Sequence, residues 1–158
     1  GDSLAAENVE KRVETVAKLL GLEERRRVRV ERLSGGQRKR VNIGIELLAD
    51  PDVLVLDEPA SGLDPATEED LVALLSRLAK QGRTVVLTTH SMEQLSVVDV
   101  IIVMAEGRVV FIGSLPEMLA HFEAPHAAEV FKAIRKSGAE AWAARFRASP
   151  FAARGRLA

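Results

Sequence analysis

The stretch 53-VLVLDE-58 sets four apolar residues in a row and then two carboxylates. A continuous apolar run this short, with Asp50-Pro51 ahead of it, reads as a buried strand of the kind found in parallel sheets. A second such run, 84-TVVLTT-89, follows and ends at His90. Between them Asp64-Pro65 opens a helix, with a carboxylate at the N-cap and proline at the first helical position. Leu71, Leu74, Leu75 and Leu78 carry that helix to about Gln81, and Gly82 closes it. Strand, helix, strand with buried strands implies a parallel α/β sheet. Ligands in such sheets sit beyond the C-terminal strand ends, which here are Asp57-Glu58 and Thr89-His90.

Working outward, Val9, Val13, Val16, Leu19 and Leu20 recur at three- and four-residue steps and predict an amphipathic helix over 8–20. Gly21 suits the position just past its end. The segment 23-EERRRVRVER-32 is charged and reads as exposed. A second helix is expected from about Gln37 to Ala49, with Val41, Ile45 and Leu48 on one face. Beyond the second strand, Ser91-Met92-Glu93-Gln94 has the form of a capping box for a short helix. The stretch 100-VIIVM-104, the turn Glu106-Gly107 and 108-RVVFI-112 predict a hairpin. Ser114-Leu115-Pro116-Glu117 is another capping box, opening a helix to about Phe122. Helical patterns follow near 127–136 and 139–148, with a frayed end.

Composition narrows the classes of function. The 158 residues suffice for one domain with a core. Hydrophobic content of 47% with 28% charged residues is that of a globular protein. A net charge of -1 offers no overall basic field for nucleic acid. The absence of cysteine excludes disulfides and thiolate metal sites. No apolar run approaches the ~18 residues of a membrane span, and 1-GDSLAAENVEKR-12 lacks the apolar segment of a signal peptide. From Pro125 to Ala158, seven basic residues stand against Glu129 and Glu140, so the tail is basic.

Chemistry concentrates in four places. In 33-LSGGQ-37, Ser34 and Gln37 form a capping box and need no further role. The glycines are not explained by that, since each lowers helix propensity by up to ~1 kcal/mol relative to alanine. Bare amides and a serine hydroxyl at a helix N-terminus suit phosphate oxygens. At the first strand tip, Asp57 can hold Mg²⁺ and Glu58 can deprotonate an attacking water, although solvated acids at a strand end are common. His90 can contact a transferring phosphate or simply be a surface residue. Asp64, in 61-SGLD-64, is fully explained as an N-cap.

Taken in order, LSGGQ, an apolar run ending in Asp-Glu, SGLD and a strand ending in histidine resemble the C-terminal half of an ABC-type ATPase, over about Val9 to Phe122. In that family these are the signature, Walker B, the D-loop and the switch histidine. The resemblance implies a P-loop NTPase-type α/β fold: a parallel sheet with flanking helices, incomplete here because the P-loop strand is absent. It implies ATP and Mg²⁺ as ligands. Asp57 would hold the metal, Glu58 would act as base, and His90 would contact the γ-phosphate. Ser34, Gly35, Gly36 and Gln37 would face ATP held by a second ATPase domain in a head-to-tail dimer, and Asp64 would run along that interface. The runs 36-GQRKRVNIGIELLADPDVLVLDEPASGLD-64 and 107-GRVVFIGSLPEMLAHF-122 resemble the White-like (G-type) half-transporters and their bacterial relatives. This implies a transmembrane domain as partner, a place on the cytoplasmic face of the cell membrane, and no nucleic-acid partner. Residues 1–36 would then end the helical signature subdomain, 37–123 form the second half of the ATPase core, and 124–158 form a basic helical tail, either a solvated pair of helices or a linker toward the membrane domain.

No G-x-x-x-x-G-K-[ST] occurs in the chain. Its amides and lysine would bind most of the β- and γ-phosphate charge, so these 158 residues alone are expected to be inactive and to bind ATP weakly. A sheet lacking the P-loop strand is also expected to carry exposed edges. Three rival readings remain: an ABC-type ATPase of DNA repair, chromosome maintenance or translation; a non-enzymatic interaction fragment; and an esterase suggested by Gly1-Asp2-Ser3-Leu4. The last needs a strand before the serine and a late Asp-x-x-His, and the chain has neither.

Overall fold

A computed structural model of the chain describes the backbone of residues 2–153 and the side chains of residues 8–152. The expected fraying at the extreme C-terminus, with Arg154 and Arg156 of the basic tail, lies outside the described residues. Backbone contacts divide the chain into two compact units, Gly1–His90 and Ser91–Ala158. Where length suggested one core, the buried side chains form two.

In the first unit, α1 spans Asp2–Leu19, α2 Gly35–Leu47 and α3 Pro65–Lys80; strands β1 (Val53–Leu56) and β2 (Thr84–Leu87) lie among them. Ser3 therefore sits within a helix rather than after a strand, which removes the esterase reading. Asp64 caps α3 by accepting from the Thr67 amide, Pro65 follows in the first turn, and Leu71, Leu74, Leu75 and Leu78 are all buried. These leucines join Val16, Leu20, Leu22, Ile43, Leu47 and Leu54 in one core. Strand β1 pairs with β2 in parallel, from Val53 opposite Thr84 to Leu56 opposite Leu87.

Two expectations for this unit need correction. On α2 the buried positions are Gly36, Ile43, Gly44 and Leu47, whereas Ile45 is 60% exposed and Leu48 is exposed as well. The apolar stripe alone misled. A small residue decides the packing face, because a Cβ on Gly44 would stand 2.8 Å from Leu20 Cδ1 and 3.5 Å from Val16 Cγ1 of the α1 segment. The helix seats its flat side there, and Arg12 secures its far end by donating to the carbonyls of Leu47 and Leu48 at 2.7 and 3.3 Å. Those carbonyls have no partner within the helix. Asp50, left-handed at φ 54, then bridges Arg12 at 2.9 Å and Arg83 at 2.7 Å. The second correction concerns the strands. They are covered on one face only: Leu54 is buried, while Val53 is 54% and Val55 is 71% exposed. A run apolar on both faces is built for cover on both sides, and two strands with one layer of helices supply it on one.

The second unit holds an antiparallel hairpin, β3 (Ile101–Ala105) and β4 (Arg108–Gly113), then α4 (Leu115–Phe122), α5 (Ala127–Ser137) and α6 (Ala139–Ala148). Glu106 and Gly107 both take positive φ, as a two-residue turn of the I′ kind requires. Ser114 and Glu117 form the expected reciprocal capping box on α4. Between Ser91 and Gln94 the expected α-helix is absent, and a 3-10 turn covers Leu95–Val97 instead. Only Leu95 is buried there, so a longer helix would have no stripe to bury in exchange for its nucleation cost. Phe111, wholly buried, lies 5.3–6.2 Å from the rings of His121, Phe122, Phe146 and Phe151. Trp142 closes the cluster and satisfies its indole N–H on the Ala133 carbonyl at 3.0 Å.

Candidate functional site

Parallel register decides which polar residues meet. Since Leu56 stands opposite Leu87, the residues that follow each strand emerge side by side, and Asp57 and Glu58 come next to Thr88 and His90. The Thr88 amide donates to the Leu56 carbonyl at 3.0 Å, extending the ladder by one bond. Its hydroxyl donates to Asp57 Oδ1 at 2.5 Å and accepts from the Glu58 amide at 2.9 Å. Glu58 has a left-handed backbone, φ 42. Its carboxylate Oε1 lies 3.3 Å from His90 Nδ1, within reach of an N–H donated by that nitrogen. The expected trio of Asp57, Glu58 and His90 is thus gathered at the adjoining ends of β1 and β2.

A second group forms around the N-terminus of α2. Gln37 donates its amide to Ser34 Oγ at 3.2 Å, and the Ser34 amide donates to Gln37 Oε1 at 3.0 Å. The Arg38 amide reaches the Ser34 carbonyl at 2.9 Å. The capping box expected at Ser34 and Gln37 is therefore present. It uses neither the Gly35 nor the Gly36 amide, and both remain as N-terminal donors suited to an anion.

The two glycines are not equivalent. A Cβ on Gly36 would stand 2.5 Å from Thr67 Cγ2, whereas one on Gly35 would meet Leu63 Cδ2 at an ordinary 3.8 Å. Thr67 is in turn held by Asp64, donating its hydroxyl to Oδ2 at 2.6 Å and its amide to Oδ1 at 3.1 Å. Those bonds, the hydroxyl's first, hold the Asp64 carboxyl below its ordinary range. Gly36 is thus required by packing within the chain, and Asp64 is tied to the N-terminus of α2 through Thr67. Lys39, also on α2, reaches the Glu58 carbonyl at 3.5 Å. That carbonyl also accepts from the Ser61 amide at 3.1 Å, closing the turn into SGLD.

Among the described residues no group of three His, Cys, Asp or Glu side chains is placed to hold a metal ion. The donor set is instead Asp57, with one carboxylate oxygen engaged by Thr88, and the neighbouring Glu58. That fits Mg²⁺, which is commonly held by one or two carboxylates with substrate phosphates and water completing its shell.

Sequence assigned no role at this site to three contributors: Thr88, Thr67 and Lys39. Thr88 carried a readable signal, since strand alternation puts it on the same side as His90. Thr67 lies three residues after Asp64, within reach of an N-cap side chain. Its packing against Gly36 and the reach of Lys39 to Glu58 carried no signal, because those partners are distant in sequence.

Comparison with known proteins points to one family. A family profile described as "AAA domain, putative AbiEii toxin, Type IV TA system" matches residues 4–96. The energy-coupling factor transporter ATP-binding protein EcfA of Methanoculleus marisnigri is 42% identical over 137 residues, covering 80% of this chain and 50% of that protein. Protein white of Drosophila melanogaster is 47% identical over 96 residues, covering 60% of this chain and 14% of that protein. Among solved structures, cbiO1 from Clostridium perfringens, part of the ABC transporter complex cbiONQ, superposes with a TM-score of 0.70 at 32% identity. The match covers 87% of this chain and 53% of that one. The chain thus spans about half of two of these relatives and a smaller share of the third.

Proposed function

Because the chain belongs to the ABC-type ATPases, with their P-loop NTPase fold, we propose that it is the second half of an ATP-binding and ATP-hydrolysing domain that powers a membrane transporter. The observation that carries this reading is the gathering of Asp57, Glu58 and His90 at the adjoining ends of two parallel strands, where α/β sheets bind their ligands. Two of the relatives named above, EcfA and cbiO1, are described as transporter components, so the placement in DNA repair, chromosome maintenance or translation is not adopted.

In this reading Asp57, its carboxylate oriented by Thr88, would hold Mg²⁺. Bound there, Mg²⁺ would neutralise charge on the phosphate oxygens. Glu58 takes the proton of the attacking water, and His90 lies beside it to orient that carboxylate and meet the γ-phosphate. Ser34, Gly35 and Gly36 present a hydroxyl and two amides to ATP held by a second ATPase domain in a head-to-tail dimer. Asp64 supports that surface through Thr67. Residues 1–36 end the signature subdomain, 37–123 complete the core, and the basic stretch 124–158 leads toward a transmembrane domain at the cytoplasmic membrane face, as in White-like half-transporters.

The test is the Glu58→Gln substitution in the full transporter carrying this chain. Hydrolysis should fall by roughly 10²–10⁴-fold, the usual contribution of a positioned general base, while ATP still binds. The 158 residues alone should show no saturable Mg²⁺-ATP binding by calorimetry, since the P-loop lysine and amides supply most of the phosphate contacts. Undiminished hydrolysis by the Gln variant would overturn the assignment of Glu58.

A further inference from the structure

We propose that Thr88 is a positioning residue for hydrolysis, its hydroxyl locking the Asp57 carboxylate and the Glu58 backbone into one unit. The inference rests on the roles given to Asp57 and Glu58 above.

A threonine hydroxyl has one hydrogen to donate and lone pairs to accept with, and here both capacities are committed. The hydrogen goes to Asp57 Oδ1 at 2.5 Å, the short distance of a charge-assisted bond. A lone pair takes the Glu58 amide at 2.9 Å. The side chain is β-branched and stiff at χ1, and its backbone is pinned by the Thr88 amide bond to the Leu56 carbonyl at 3.0 Å. Thr88 is therefore a fixed post against which the turn after β1 is set.

Two consequences follow for the chemistry. The bond restrains rotation of the Asp57 carboxylate, so the direction in which it is offered to a cation is set before the cation arrives. Glu58 is held at φ 42, a backbone region that residues with a Cβ disfavour. The amide bond to Thr88 helps keep it there, and that conformation brings its carboxylate within 3.3 Å of His90. Valine has the shape of threonine and neither hydrogen bond, whereas serine keeps the hydroxyl.

The experiment uses the full transporter with four substitutions: Thr88→Val, Thr88→Ser, Asp57→Asn and Glu58→Gln. Mn²⁺ binding in the presence of a non-hydrolysable ATP analogue is read by electron paramagnetic resonance, and hydrogen exchange of the Glu58 amide by mass spectrometry. Thr88→Val should weaken Mn²⁺ binding about 10–100-fold, the usual effect of losing a group that orients a metal ligand, and should speed exchange at Glu58. Thr88→Ser should restore both, which a purely structural role would not require. If Thr88→Val melts well below the parent protein, Thr88→Ala against Thr88→Ser gives the same comparison with no added bulk. Wild-type Mn²⁺ binding and Glu58 exchange in Thr88→Val, with Asp57→Asn impaired, would sink the role of Thr88 alone. Unaltered Mn²⁺ binding in Asp57→Asn together with unaltered turnover in Glu58→Gln would sink the reading of the site beneath it.

Discussion

Gly36 has no room for a methyl group, because Thr67 Cγ2 would lie 2.5 Å from it. Thr67 cannot turn aside without giving up its bond to Asp64 Oδ2. Gly36→Ala should therefore destabilise the first unit by about 1–3 kcal/mol, as overpacking does. The double variant Gly36→Ala/Thr67→Ser, which removes the offending methyl and keeps the hydroxyl, should recover most of that in urea titrations. Additive losses would show that the contact does not limit stability. Gly35 faces an ordinary contact, so its substitution separates phosphate binding from folding. The sequence made the glycines legible as a backbone kept bare, and made Ser34 and Gln37 legible as a cap. The second reason for Gly36 was hidden, since it depends on a threonine in another helix.

At the scale of elements, α4 sets His121 among Phe111, Phe122, Trp142, Phe146 and Phe151. Its Nε2 is buried without a partner. Burial pushes the imidazole below its ordinary value of 6.5, the Arg145 charge adds to this, and a hydrogen bond with the Val110 backbone opposes it. The unfolded chain therefore binds a proton near pH 6.5 that the folded chain refuses, and stability falls as pH drops through and below that value. The melting temperature should decline between pH 7.5 and 5.5, and His121→Phe should flatten the decline. Carboxylates do not confuse this window. Asp50, held low by Arg12 and Arg83, and Glu123, held low by Arg145, start from 3.8 and 4.5 and give up their contribution only at more acid pH. An unchanged slope in His121→Phe would assign the effect elsewhere. Element positions were largely legible: the leucine stripe and Asp64-Pro65 mark α3, Ser114 and Glu117 mark α4, and Glu106-Gly107 marks the hairpin turn. The buried face of α2 was not, because Gly44 rather than Val41, Ile45 and Leu48 chooses it.

Across the whole molecule, each unit leaves apolar strand surface in water. Val53, Val55 and Val86 are exposed in the first, and Ile102 and Met104, at 58% and 63% exposure, in the second. Among the described residues strand β2 is paired on one edge only, and an open edge beside an apolar face invites pairing with another chain. The 158-residue chain should therefore elute above monomer size in size-exclusion chromatography with light scattering. Val55→Lys/Ile102→Lys should shift it toward monomer without lowering its melting temperature, since both side chains already face solvent. A wild-type monomer at high concentration would show that these faces do not associate.

The order of motifs and the apolar runs were enough to determine the α/β class and the ABC-type family, and to single out Asp57, Glu58 and His90 as the candidate site. Each of those signals is local, a few residues whose types and spacing carry the chemistry. Only the tertiary structure decided that β1 and β2 pair in a register placing Thr88 between Asp57 and Glu58, that Thr67 ties Asp64 to Gly36, and that the strands are covered on one face. Those facts depend on which distant residues come into contact, and hydrophobic periodicity records that a face is apolar without recording what, if anything, covers it.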